Sequence, residues 1–203
     1  MIGFTLLDTA QGWIGLVWTD GALTRVTVPE CTAEAARRYL QTRFPEAQEA
    51  QAPPGLADTI ENLQALMRGE PADFSTAPIA LEALPAFTAQ VLAATRAIPQ
   101  GQTRTYGQIA EHLGDKLLAH DVGVALGQNP WPLVVPCHRV VAAGGKLGGY
   151  SGRGGARTKL KLLTLEGADA AKVPDPFSKP RRKPGATWPR RLGLARATGA
   201  RPV

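Results

Sequence analysis

The chain has 203 residues, 44% of them hydrophobic and 20% charged, which is enough apolar material for one domain or two small ones. Two cysteines without a CxxC pair, and three histidines without ligand spacing, argue against a disulfide framework, a metal centre or a cofactor, and no run reaches the roughly 18 apolar residues of a membrane span. The net charge of +6 is uneven, with −6 over residues 1–94, +5 over 95–167 and +7 over 168–203, so a polyanion is expected to meet the second half.

The opening MIGFTLLDTAQ has no basic stretch and Asp8 interrupts its apolar run, so no signal peptide is expected and the protein is placed in the cytoplasm, or in the nucleus of a eukaryote. Residues 3–28 alternate between β-formers and are broken by QG and DG, the pattern of a small antiparallel sheet. Thr32 is positioned to cap a helix through AEAARRYLQTRF, with Glu34 in its first turn. PEAQEAQAPPG reads as a loop, and LADTIENLQALMRG as a second helix ended by Gly69. A boundary is expected within residues 72–84, dividing an α/β N-terminal domain (1–84) from a mainly helical C-terminal one (85–170).

PAFTAQVLAATRAI is amphipathic, with Phe87, Val91, Leu92 and Ile98 on one side. Thr105 precedes a short helix, YGQIAEHLG, and KLLAHDVGVALGQNP forms another; two short helices so joined in a basic segment fit a helix-turn-helix, of winged-helix type. NPWPLVVPCHRV places Asn129 at a helix end, then a buried strand-like run, then Cys137. The glycine-rich AAGGKLGGYSGRGGA follows, without the GK[ST] of a phosphate cradle, and leads into a helix with Leu160 and Leu163 apolar and Glu166 at its end. Residues 171–203 are a Pro/Arg-rich basic tail expected to add non-specific affinity for nucleic acid.

Cys137 and His138 are adjacent, and on an extended chain their side chains would point to opposite faces. A bridging water would let His138 act as base, with Glu166 orienting the imidazole. The residues alone leave other readings open: a buried structural cysteine, or a cysteine hydrolase acting on a small molecule through Cys137 and His138.

IPQGQTRTYGQIA, NPWPLVVPCHRVV, GGYSG and LLTLEG together resemble the O6-alkylguanine-DNA alkyltransferases, the methylated-DNA–protein-cysteine methyltransferases, over about residues 85–167. The resemblance implies cofactor-free, irreversible transfer of an alkyl group from O6-alkylguanine, with O4-alkylthymine as a further substrate, onto Cys137. His138 and Glu166 would form the relay and Asn129 would hold the active-site turn. Tyr106, Tyr150, Ser151, Gly148 and Gly149 would receive the flipped base, and His120, Asp121, Gly123 and Arg139 would meet DNA. The partner implied is double-stranded DNA containing alkylated bases, bound by a monomer. The family's RAVG segment reads HDVG here, so His120 replaces an arginine that fills the vacated stack, and Asp121 brings a negative charge to a DNA-facing helix. This departure keeps two alternatives in view: a non-catalytic binder of alkylated DNA, and transfer from a donor other than DNA.

Overall fold

A computed structural model describes residues 1–168; the basic tail expected over 171–203 lies outside the described residues. Strands β1 (Ile2–Thr9), β2 (Gly12–Thr19) and β3 (Ala22–Val26) form the expected meander. Its second turn holds Asp20 and Gly21 at φ 50° and 84°, the left-handed pair that a two-residue hairpin requires. Helix α1 (Ala33–Arg43) starts where Thr32 accepts a hydrogen bond from the Ala35 N–H, and it packs Leu40 against Phe4 and Val17. Gly15 permits that approach, since a Cβ there would lie 2.7 Å from Leu40 Cδ1.

The sheet is mixed rather than purely antiparallel. Within PEAQEAQAPPG, read above as loop, Gln48–Glu49 forms β4 and pairs in parallel with β1, giving the order β3-β2-β1-β4. Both residues are exposed and polar, so no alternation betrayed them; the edge backbone of β1 supplies the pairing.

The other sheet face, with Leu7, Ile14, Leu16, Trp18, Leu23 and Val26, begins the main core. That core continues through α2 (Ala57–Met67), α3 (Ala86–Arg96), α4 (Tyr106–His112), α5 (Ala119–Gly127) and α6 (Ala156–Leu165). The boundary expected near 72–84 falls in the segment linking α2 to α3, and the core runs across it. Trp131 Nε1 donates to the Leu23 carbonyl at 2.7 Å, and the Val26 N–H donates to the Pro130 carbonyl at 3.0 Å.

Thr105 caps α4 in a reciprocal pair with Gln108, and α5 packs against α4 after a single 3-10 turn at 116–118. Two short strands, β5 (Arg104–Thr105) and β6 (Val140–Val141), pair in parallel, β6 directly following Arg139 in the chain. No helix among the described residues is long and apolar enough to cross a membrane.

Candidate active site

The run from Trp131 to Pro136 is a folded turn, not the strand expected from its apolar residues. Leu133 is buried at φ 76°, and the run carries only an isolated bridge between Pro132 and Val135. Asn129 braces it from both ends: its Oδ1 accepts from the Trp131 N–H at 2.9 Å, and its Nδ2 donates to the Val135 carbonyl at 2.9 Å. Cys137–Arg139 then makes one 3-10 turn, which removes the opposite-face geometry of an extended Cys-His pair. All three side chains are buried.

His138 Nε2 lies 2.8 Å from Glu166 Oε1. Burial lowers the imidazole's proton affinity more than Glu166 raises it, so the ring is neutral. Burial would by itself raise Glu166, but hydrogen bonds from His138 and Arg139 hold it down at about 2. An ionised Glu166 must accept from Nε2–H, leaving Nδ1 as the basic nitrogen. Nδ1 is buried and has no hydrogen-bond partner among the described residues.

Arg139 corrects an expectation. Placed above at the DNA surface, it is only 5% exposed. Its Nε and Nη2 reach the two Glu166 oxygens at 2.8 and 2.9 Å, and its Nη1 donates to the Ile98 carbonyl at 2.6 Å. A fork so engaged holds the carboxylate behind His138, and its burial keeps it from meeting phosphate at the surface.

Cys137 is at the floor of a cavity of about 420 Å³, within the range of small-ligand pockets. Tyr106, Tyr150, Gly149 and Ser151 line it together with His120, Gly123 and Val124. Burial pushes the Cys137 thiol up, opposed by a hydrogen bond from Asn129 and the charge of Lys159. The Tyr150 hydroxyl is buried without a well-formed hydrogen bond among the described residues, and burial and the neighbouring sulfur both suppress its ionisation. Tyr106 donates to the Gly149 carbonyl at 3.3 Å; its phenol is also raised by burial, then by Cys137. Gly148 backs that ring, where a Cβ would come within 3.0 Å of Tyr106 Cε2. Asp121 is exposed on α5 beside His120 and does not line the cavity.

Lys159 was missed. It is fully buried in α6, and its Nζ donates to the carbonyls of Val140 at 2.6 Å and Gly149 at 3.0 Å. The ammonium lies 5.6 Å from the Tyr106 ring centre, and burial lowers its pKa to about 8 despite the attraction of Cys137. Helical spacing offered a signal: Lys159 is three and four residues before the buried Leu162 and Leu163. Leu160, expected on the apolar face, is 52% exposed.

Residues 86–168 match the family model described as the DNA-binding domain of 6-O-methylguanine DNA methyltransferase. A methylated-DNA–protein-cysteine methyltransferase of Mycolicibacterium paratuberculosis is 38% identical over 167 residues, covering 82% of this chain and 93% of the relative. The fold is similar to that of the crystal structure of Mycobacterium tuberculosis O6-methylguanine methyltransferase, with a TM-score of 0.64, 32% identity, and coverage of 83% of this chain and 94% of that one. It is also similar to Mycobacterium tuberculosis OGT in complex with DNA, with a TM-score of 0.65, 32% identity, and coverage of 83% and 96%.

Proposed function

This chain belongs to the methylated-DNA–protein-cysteine methyltransferase family, and on that footing we propose that it repairs DNA by moving an alkyl group from O6-alkylguanine onto Cys137. The observation that carries the reading is a buried thiol at the cavity floor, backed by a neutral imidazole whose Nε2 is hydrogen-bonded to the Arg139-held Glu166. His138 Nδ1 takes the thiol proton through a bridging water, and Glu166 stabilises the imidazolium that forms. The thiolate sulfur then bonds to the alkyl carbon as that carbon's bond to O6 breaks, and its electron pair goes to the base. Tyr106 passes a proton to the departing guanine and regains one from water, to which the His138 imidazolium returns the thiol's proton, and Lys159 offsets the negative charge around the sulfur. The thioether product is stable to water, so each chain acts once.

The α4–α5 pair acts as a helix-turn-helix within a winged-helix-like arrangement, with α5 presented to duplex DNA and His120 filling the vacated stack. We read residues 85–170 as the reacting, DNA-binding part, 1–84 as its α/β support and 171–203 as an affinity tail. The protein works as a monomer where the genome is held, in the cytoplasm or a eukaryotic nucleus. O4-alkylthymine is a second substrate to test in the same assay.

Intact-mass measurement after incubation with an O6-methylguanine duplex tests this directly. One methyl per chain, mapped to Cys137 and not to exposed Cys31, is expected. Repeated turnover would favour a cysteine hydrolase. Binding without mass gain would favour a non-catalytic lesion binder, and mass gain from free base alone a donor other than DNA.

A further inference from the structure

Glu30 lies far in sequence from the cavity, yet its carboxylate ends on the loop that walls it. Its Oε2 meets Arg153 Nη1 at 2.9 Å, and the side chains of Glu30 and Arg153 are 8% and 67% exposed. The Glu30 backbone is fixed by two hydrogen bonds of 2.8 Å to Trp13, one in each direction. An acid so anchored has little rotamer freedom left to lose, unlike the acid of an ordinary surface pair.

Half of residues 142–155 are glycine, so this loop resists displacement only where something holds it. The limb entering the cavity wall is held at the Gly149 carbonyl by Lys159 and Tyr106. The limb leaving it is held through Arg153, whose carbonyl accepts from Thr158 Oγ1 at 2.7 Å and whose guanidinium reaches Glu30. Tyr150 and Ser151 line the cavity between these two tethers.

We infer that the Glu30–Arg153 pair is a latch through which the N-terminal part sets how large an alkyl group the cavity admits. The inference rests on the alkyl-transfer reading above. Glu30 and Arg153 are positioning residues, acting through Tyr150 and Ser151. With the latch closed, those two side chains confine a small group at the sulfur. With it open, the glycine-rich limb moves outward, a bulky group gains room and a methyl group loses its wall.

Single-turnover rates on duplexes carrying O6-methylguanine or O6-benzylguanine test the latch, together with amide hydrogen exchange of residues 150–155. Arg153→Gln and Glu30→Gln each remove the ion pair; Arg153→Lys keeps its charge. The benzyl-to-methyl rate ratio should rise about two- to fivefold in either neutral variant, the scale of a partly exposed pair. The double variant should add nothing further, and Arg153→Lys should stay near the parent. Exchange over 150–155 should quicken in Arg153→Gln, a change at an exposed side chain that the fold tolerates. An unchanged ratio, or equal slowing on both substrates, overturns the latch and leaves alkyl transfer standing. Unchanged exchange overturns it whatever the rates do. If the parent transfers neither group, the alkyl-transfer reading falls and takes the latch with it.

Discussion

His138 Nε2 lies 2.8 Å from Glu166 Oε1, and this contact decides which imidazole nitrogen can accept a proton. Because Arg139 keeps Glu166 ionised, Nε2 must carry the hydrogen and Nδ1 is the base. His138→Ala should therefore slow transfer about 10²–10⁴-fold, the usual loss on removing a general base. Affinity for a duplex should change little, since His138 is wholly buried. Single-turnover kinetics beside equilibrium binding separate the two effects; an unchanged rate would discard the relay.

The same contact has a stability signature. Glu166 is depressed from 4.5 to about 2 on folding, so its contribution is present above pH 4.5 and lost as pH falls towards 2. The difference corresponds to about 3 kcal/mol. His138 is depressed too, which adds acid sensitivity as pH falls through the ordinary imidazole range near 6.5. Denaturation midpoints measured from pH 7 to 3 should fall in the parent, and Glu166→Gln should flatten the lower part of that curve.

Arg139→Gln should destabilise the protein by about 3–5 kcal/mol, because it leaves a buried carboxylate without its partner. Arg139→Lys should recover only part, since an ammonium cannot span both oxygens and the Ile98 carbonyl as the fork does. The salt dependence of duplex binding should not move. A residue on phosphate would make the log–log slope shallower by about 0.9 when removed, and a change of that size would return Arg139 to the DNA surface.

Lys159→Met should reduce the transfer rate about tenfold or more by withdrawing positive charge from the sulfur's surroundings. With the Lys159 pKa at about 8, the parent should lose this assistance as pH rises through that value, and the variant should show no such loss. Rate against pH from 6.5 to 9.5 for both proteins checks it. Parallel profiles would reduce Lys159 to a prop for the Gly149 carbonyl.

His120 is exposed at the cavity rim and Asp121 is exposed beside it on α5. His120→Arg should raise the rate on duplex substrate more than on free O6-alkylguanine, because only the duplex must surrender a stacked base. Asp121→Ala should tighten binding to lesion-bearing and intact duplexes alike, since it removes a charge and no base contact. If both variants match the parent on every substrate, HDVG is neutral drift.

Short-range physics was legible in the sequence. The DG turn, the Thr32 cap and the helix that starts after Thr105 all follow from residues within a few positions of one another. The PCHRV run pointed to its chemistry through its resemblance to the alkyltransferases, the residues alone leaving a buried structural cysteine or a hydrolase open. What remained hidden involves charged or polar groups whose partners are distant in the chain. Arg139 reads as a surface cation until Glu166, 27 residues on, is found against it, and Lys159 reads as helix surface until the Val140 carbonyl, 19 residues back, caps its ammonium. Glu30 meets Arg153 across most of the chain, and the polar strand at Gln48–Glu49 exists only because β1 offers an edge. A buried charge carries at most a spacing cue, as Lys159 does before Leu162 and Leu163, since its stability comes from a partner that tertiary folding alone brings near.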